Sequence, residues 1–490
     1  MSERITGTSR WLALIIVCLG YLMIVLDVTI VGVALPSIRE DLGFSPSSLA
    51  WVANAYLLTF GGFLLLAGRL GDLFGHRRLF LTGIALFTVA SLGAGLAASQ
   101  AQLVGFRAVQ GLAGAVASAA ALSLIVTLFT EPVERAKAMG VFGFVAAGGG
   151  TIGVLLGGIL TGALSWHWIF LVNVPIGVAV LVLARLVLPG AQVPPASRRL
   201  DVAGAVAVTA SLMLAVYAIV NGNEAGWASA RTLGLLAAAG VLLGSFLAIE
   251  ARTPAPLVPL GLFRRRNVST ANVVGVLWAA AMFAWFFLAA LYLQLVFGYR
   301  PLQVGLAFLP ANLIMAVLSL GVSAKLVMRF GIKAPLAAGL LLAAIGLALF
   351  ARAPADGSFI VDVLPNMVLL GLGAGIAFNP VLLAAMNDVE PSEAGLASGV
   401  VNTSFMMGGA LGLAILASVA ASRSASLLAS GEDQVTALTG GYHTAFLIGA
   451  LFAAAAAVLS AVLLRGGTGS AAEERGEPAE QRRGSLTEVP

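Results

Sequence analysis

The chain has 490 residues, of which 60% are hydrophobic and 10% are charged, whereas soluble domains average about 45–50% apolar and about 25% charged residues. This composition excludes a soluble protein and supplies enough apolar residues for roughly a dozen membrane-spanning helices. The single cysteine excludes an intrachain disulfide, and no lysine follows a glycine, which excludes the Gly-Lys pair of a phosphate-binding P-loop.

Fourteen apolar segments are long enough to cross a bilayer. Each must be a helix, because a backbone in lipid has to satisfy its own hydrogen bonds. In chain order the segments are residues 11–36, 47–68, 79–98, 101–128, 138–163, 166–188, 202–221, 232–250, 268–296, 302–327, 334–352, 361–386, 395–422 and 443–464. The first continues too far for a signal peptide and is interpreted as a retained helix.

The basic residues predict the orientation of these helices. With an even number of helices, both termini lie on one side of the membrane. If that side is the cytoplasm, 21 of the 27 Lys and Arg residues fall in cytoplasmic segments. We therefore predict a multi-pass protein of the cytoplasmic membrane with both termini inside, and this topology accounts for the net charge of +5 without a nucleic-acid partner.

An internal repeat divides the chain into halves. Glu131-Pro132-Val133-Glu134 recurs 259 positions later as Glu390-Pro391-Ser392-Glu393, and Gly149-Gly150-Thr151-Ile152-Gly153 recurs at the same offset as Gly408-Gly409-Ala410-Leu411-Gly412. Parallel repeats of six helices explain this pattern, with helices 7 and 8 inserted between them. The predicted parts are a cytoplasmic N-terminus at 1–10, an N-terminal six-helix bundle at 11–188, inserted helices 7 and 8 with flanking loops at 189–267, a C-terminal six-helix bundle at 268–464, and a disordered cytoplasmic tail at 465–490.

Two charged residues lie inside predicted helices. Asp27 follows Trp11 by about 24 Å along helix 1, which places it past the middle of the bilayer. An acid at this depth usually faces a cavity or a partner, and Asp27 could exchange a proton against a cationic ligand. A structural alternative is a bond to Thr29 or to a neighbouring helix. Arg107, near the outer end of helix 4, could pair with Asp27, relay protons, or extend to the interface.

A glycine-rich basic segment follows helix 2. Its glycines allow a tight turn, its acid can face a helix N-terminus or an arginine, and its arginines anchor the cytoplasmic surface. The segment is at least a topology signal, and we also predict that it is a gating latch. The residues concerned are Gly68, Arg69, Gly71, Asp72, Gly75, Arg77 and Arg78.

Helix 5 is dense in glycine. Gly149, Gly153 and Gly157 recur every four residues, and Gly158 follows them. Such a face lets helices approach closely and slide, although packing alone would also explain it.

Several polar and aromatic residues could line an apolar substrate cavity, although aromatic residues near helix ends are more often interfacial. The candidates are Asn54, Tyr56, Trp285, Phe286, Tyr292, Gln294 and Asn312.

Together these motifs make the chain resemble the major facilitator superfamily (MFS), and within it the fourteen-helix drug:proton antiporters of the EmrB/QacA type, over residues 10–465. The motifs that carry the resemblance are Leu26-Asp27-Val28-Thr29-Ile30-Val31-Gly32-Val33-Ala34-Leu35-Pro36, the segment Gly68 to Arg78, Arg107-Ala108-Val109-Gln110-Gly111, the helix 5 glycines and Trp168-Ile169-Phe170-Leu171-Val172-Asn173-Val174-Pro175. Some positions depart from the family pattern. Gly32 stands where the family usually has Asn, and Val154 stands where helix 5 usually has Pro, which removes an expected kink.

The resemblance implies an all-α polytopic membrane protein in which two six-helix bundles rock around a central cavity, with helices 7 and 8 outside the transport core. It also implies that Asp27 carries a proton or cation, that Arg107 takes part in proton coupling and that the Gly68 segment controls the conformational change. No cofactor or metal ion is implied.

The predicted function is proton-coupled multidrug efflux of amphipathic, cationic compounds by a monomer that works by alternating access. An exporter of one natural product, serving self-resistance, would have the same motifs. A lipid flippase or a non-transporting scaffold is a further alternative. An enzyme is not predicted, because no nucleophile, base and orienting group cluster in the sequence.

Overall fold

The computed structural model describes residues 7–188, 201–254, 256–386, 389 and 394–464. The predicted tail at 465–490 and the second Glu-Pro repeat at 390–393 lie outside these residues. Within them every predicted segment is helical and no strand occurs. Thirteen helices are long and apolar enough to cross a membrane, and the remaining predicted segment, at 302–327, is a helix in three consecutive parts.

The N-terminal half and the inserted pair comprise eight spans. They are α1 Gly7–Leu42, α2 Trp51–Phe74, α3 His76–Gly95, α4 Gln100–Leu128, α5 Pro132–Ala163, α6 Asn173–Val187 after a single turn at Trp168–Leu171, α7 Val202–Ala225 and α8 Ala230–Arg252.

The C-terminal half comprises six spans. They are α9 Arg266–Leu295, α10 with its parts Pro301–Val317, Leu318–Val322 and Ser323–Phe330, α11 Lys333–Phe350, α12 Leu364–Met386 after a π-helical turn at Phe359–Val363, α13 Ala394–Ala429 and α14 Gln434–Leu463. The middle part of α10 is also a π-helical turn.

Several predicted helix ends are wrong by up to nine residues, and the largest difference is at α14, which begins at Gln434 and not at residue 443. Helix α1 continues past Pro36 to Leu42, and α2 continues through the predicted loop to Phe74. A helix can extend beyond its apolar run because its backbone hydrogen bonds do not depend on the solvent, while polar side chains near its ends reach the interface. The apolar run therefore marks the lipid contact and not the helix terminus.

The inserted pair is only partly peripheral. Helix α7 packs against α2 of the first half and α13 of the second half, and Asn223 Nδ2 of α7 donates a hydrogen bond to the Ser418 carbonyl oxygen of α13 at 2.8 Å. Helix α8 packs against α7 and is mostly exposed. The resemblance placed both helices outside the transport core, whereas α7 lies against the seam between the two halves.

Candidate functional site

Asp27 lies at the centre of a buried hydrogen-bond network in the N-terminal half. Its side chain is fully buried. Arg107 Nη1 of α4 donates to Asp27 Oδ2, while Gln110 Nε2 of α4 and Asn173 Nδ2 of α6 each donate to Asp27 Oδ1 at 3.0 Å. A buried carboxylate needs such donors, because the interior offers no water to replace its lost hydration. The network therefore joins α1 to two other helices.

Arg107 is held inside the bundle from several sides. Its Nε donates to the Val52 carbonyl oxygen of α2 at 2.8 Å, and its Nη1 also donates to Gln110 Oε1 at 2.9 Å. The guanidinium carbon lies 4.6 Å from the centre of the Tyr56 ring, close enough for a cation–π contact. Of the alternatives left open by the sequence, Arg107 pairs with Asp27 and does not extend to the interface.

The network continues from Gln110 to α3, because Gln110 Nε2 also donates to Ser91 Oγ at 2.8 Å. The sequence analysis named Gln110 and Asn173 only as members of the resemblance motifs, without a role in the site, and it did not name Ser91. The spacing of Gln110 three residues after Arg107 places both on one helix face and could have identified it. Thr29 does not bond to Asp27, since its hydroxyl donates to the carbonyl oxygens of Val25 and Leu26.

A cavity of about 210 Å³ lies between the two halves. It is bounded mainly by α1 and α5 of the first half and by α9 and α10 of the second half. Its lining is aliphatic and aromatic apart from Thr29 and Asn312, and it includes no acidic or basic side chain. This lining therefore offers no counter-charge to the cationic substrate that the sequence predicted.

The predicted cavity residues lie at different places. Asn312 lines the cavity. Trp285 is buried behind the lining, with its ring centre 5.5 Å from that of Phe308. Gln294 Nε2 donates to the Val33 carbonyl oxygen at 3.1 Å, which ties α9 to α1, and Tyr292 donates to the Ala353 carbonyl oxygen at 2.6 Å within the C-terminal half.

Two further predicted cavity residues, Asn54 and Tyr56, belong to the N-terminal half and are not in the lining. Both are almost fully buried on α2, and Tyr56 lies beside Arg107. The reason is helix rotation, because a sequence that is apolar all round does not reveal which face of a helix meets which neighbour.

The lining contains four phenylalanines, of which the sequence analysis had named only Phe286 as a candidate. Phe286 and Phe308 stack with ring centres 5.6 Å apart, and these residues come from α9 and α10. The other two are Phe283 and Phe287. An aromatic run in α9 was the available signal, but it could not separate lining residues from buried ones.

The predicted gating loop is two helix ends joined by one glycine. Helix α2 ends at Phe74 and α3 begins at His76, so Gly75 alone connects them. Gly75 has a φ of 91°, a backbone conformation that favours glycine. Arg77 Nη2 donates to the Arg185 carbonyl oxygen at 2.8 Å, which ties the turn to the end of α6.

The remaining members of this predicted segment lie on α2 and α3. Gly68, Arg69, Gly71 and Asp72 belong to α2, Arg78 belongs to α3, and both Arg69 and Arg78 are exposed. The side chain of Asp72 lies outside the described part of the structure.

The helix 5 glycines make two kinds of close contact. Gly149, Gly153 and Gly157 face α1, and a Cβ added at Gly157 would lie 2.6 Å from the Ile30 carbonyl oxygen. Gly158 faces α10 of the other half, where a Cβ would lie 2.8 Å from the Pro301 carbonyl oxygen. Helix α5 can therefore pack closely on α1 and contact the opposite half, because its glycines have no side chains to hold the helices apart.

Comparison with known proteins places the chain among membrane transporters. The sequence profile of the Major Facilitator Superfamily matches residues 17–413. The chain is 40% identical to the cephamycin export protein CmcT of Amycolatopsis lactamdurans over 94% of this chain and 93% of that protein. It is 39% identical to the puromycin resistance protein pur8 of Streptomyces alboniger over 93% and 90% of the two chains. It is 35% identical to the multidrug resistance protein Stp of Mycobacterium tuberculosis over 84% and 76%.

Solved structures agree with the fold. A crystal structure of the nucleoside transporter NupG matches with a TM-score of 0.63 at 14% identity, covering 93% of this chain and all of that chain. A bacterial homologue of the human lysosomal transporter Spinster, in an inward-facing and unoccupied conformation, matches with a TM-score of 0.64 at 16% identity, covering 94% and 98%.

Proposed function

Because the chain belongs to the Major Facilitator Superfamily, a family of multi-pass membrane transporters and not of enzymes, we propose that it exports small amphipathic drugs from the cytoplasm in exchange for protons. In this proposal both termini face the cytoplasm and one chain is the working unit. The substrate occupies the cavity between the halves, and Asp27 carries the proton.

The observation that carries this proposal is the arrangement of Asp27 beside the cavity. Helix α1 holds Asp27 and also supplies cavity-lining residues such as Thr29. Protonation would remove the charge of Asp27 and weaken its bond to Arg107, which would loosen the junction of α1 with α4. A change at the proton site would thus reach the substrate site through one helix.

The same helix connects the proton site to a contact between the halves. Helix α1 packs on the glycine face of α5, and α5 touches α10 at Gly158. With cytoplasmic termini, this contact lies near the outer ends of both helices and closes the cavity on the outer side. The cavity is smaller than the roughly 300–1,000 Å³ of typical drug-sized sites, so the halves must separate to admit a drug.

The names of the relatives support export, and they are compatible with either a broad or a narrow range of substrates. The multidrug resistance protein Stp favours a broad range, whereas the cephamycin export protein CmcT favours one natural product. The higher identity to CmcT makes a dedicated antibiotic exporter the second candidate. Competition among unrelated drugs for transport separates these candidates.

The test uses purified protein in liposomes with an imposed pH gradient. The movement of a panel of aromatic drugs is followed together with internal pH. We expect at least one drug to accumulate in the acidic compartment while protons leave it. The variant Asp27→Asn should lose this accumulation, because its side chain cannot exchange a proton.

The matched control is Glu40→Gln, which neutralises an exposed acid on the same helix. It should transport as the unmodified protein does. Drug accumulation by Asp27→Asn at the unmodified rate would contradict the role of Asp27, and the absence of proton movement during drug flux would contradict antiport.

A further inference from the structure

The cavity between the halves has the chemistry of a site for an uncharged ligand. Its polar side chains are those of Thr29 and Asn312, and four phenylalanine rings contribute to the wall. A permanent cation entering this space would lose its hydration without meeting a counter-charge. Contact with aromatic faces recovers only part of that loss, and the faces of Phe286 and Phe308 are stacked on each other.

The buried acid next to the cavity does not supply the missing charge. Successive residues of a helix are turned by about 100°, so Thr29, which lines the cavity, is turned by about 200° from Asp27. Asp27 points instead to α4 and α6, where Arg107 neutralises it. Among the described side chains of the two six-helix bundles, Asp27 is the one buried carboxylate.

One polar group in the lining lacks a partner. Asn312 is 2% exposed, and its Nδ2 has no hydrogen-bond partner among the described residues. The Thr29 hydroxyl already donates to carbonyl oxygens of its own helix. A buried donor without an acceptor is costly, so the occupant best suited to the cavity offers an oxygen to Asn312.

We infer that the substrate is an uncharged, largely apolar aromatic compound with a hydrogen-bond acceptor that binds Asn312. This inference rests on the proposed function. It has an electrical consequence, because one carboxylate carries one proton in each cycle. Exchange of an uncharged molecule for one proton moves one net charge across the membrane, whereas exchange of a monovalent cation for one proton moves none.

The test compares two aromatic probes in liposomes that contain the purified protein. Chloramphenicol is uncharged and carries acceptor oxygens, and ethidium is a permanent cation. A potassium gradient with valinomycin sets a membrane potential at equal pH on both sides. We expect the potential alone to drive chloramphenicol accumulation, with little accumulation of ethidium under either a potential or a pH gradient.

Substitutions at Asn312 sharpen the test. Asn312→Leu removes the donor and should lower the affinity for chloramphenicol about three- to tenfold. Asn312→Asp places a carboxylate in the lining and should raise ethidium transport while lowering that of chloramphenicol. The control is Asn402→Leu, the same change in the C-terminal bundle at a residue that lines a separate small pocket, and it should leave both probes unaffected. Size-exclusion elution of each variant confirms that it is folded.

The possible outcomes separate the inference from the proposed function. Preferential transport of ethidium by the unmodified protein, or unchanged chloramphenicol affinity in folded Asn312→Leu, would overturn the inference and leave antiport intact. Absence of any drug-coupled proton movement with the whole panel of drugs would overturn the proposed function, and this inference with it.

Discussion

The two six-helix bundles share a packing scheme and differ in their buried chemistry. In the first, glycines of α5 lie against α1. In the second, a Cβ added at Gly408 of α13 would lie 2.7 Å from the Val276 Cα atom of α9. The N-terminal bundle buries Asp27 and Arg107, whereas no charged side chain is buried among the described residues of the C-terminal bundle. Helix α9, the counterpart of α1 in the repeat, has no acid.

We infer from this difference that the two repeats have different roles. Close helix contacts through glycine depend on backbone shape, so both halves retain them. A buried charge needs several donors from surrounding helices, and only the N-terminal bundle provides such a set in the described structure. The C-terminal bundle instead supplies all four phenylalanines of the cavity lining.

If the N-terminal bundle depends on its charged pair, Arg107→Met should have the largest effect on stability. Removal of one partner leaves a buried charge uncompensated and costs about 3–5 kcal/mol. We expect a lower thermal unfolding temperature in detergent at neutral pH, partly restored when Asp27→Asn is added. Arg329→Met, at an exposed arginine of the other bundle, should change the unfolding free energy by less than about 0.5 kcal/mol. If both arginine variants lowered the unfolding temperature equally, the buried charged pair would not distinguish the N-terminal bundle from the C-terminal bundle.

If the bundles communicate through their contact at Gly158, Gly158→Ala should impair turnover. The added Cβ would press on the backbone of α10, and overpacking costs about 1–3 kcal/mol, which corresponds to about five- to 150-fold slower transport. Gly162→Ala is the matched control one turn away, because nothing lies within 4 Å of a Cβ there. Transport rate and drug affinity are measured together. Similar rates for the two variants would show that this contact does not limit the cycle.

The smallest effect on stability is expected from substituting an acid of the C-terminal bundle that lies outside the membrane. The Asp433 carboxylate accepts hydrogen bonds from the side chain and backbone N–H of Thr436 and from the Val435 N–H, which hold its pKa below its ordinary value. Because the folded pKa is lowered, the stabilisation is complete above the ordinary pKa and is lost as pH falls through the lowered pKa. The difference in unfolding temperature between unmodified protein and Asp433→Ala should therefore be small and constant from pH 8 to about pH 5 and should shrink below pH 4. An equal difference at pH 3 would contradict this assignment.

Much of the fold and part of the site could be predicted from the sequence. The fourteen segments were correctly identified because hydrophobic length is a local property. Asp27 was predicted as a site residue because an acid within an apolar run is costly. Its pairing with Arg107 was one of the alternatives that the sequence left open. The donors Gln110 and Asn173 and the acceptor Ser91 were not predicted as site residues, because neutral polar residues are common in membrane helices and give no comparable signal.

The sequence by itself determined the number of spans, their helical form and the presence of one deeply placed acid, since these follow from hydropathy and from the cost of charge in lipid. Only the tertiary structure decided which face of α1 meets Arg107 and which face meets the cavity. It also decided that Gly158 touches the opposite half and that α7 lies against the seam. The reason is that helices apolar on all sides carry little information about their rotation, which is fixed by packing against neighbours distant in sequence.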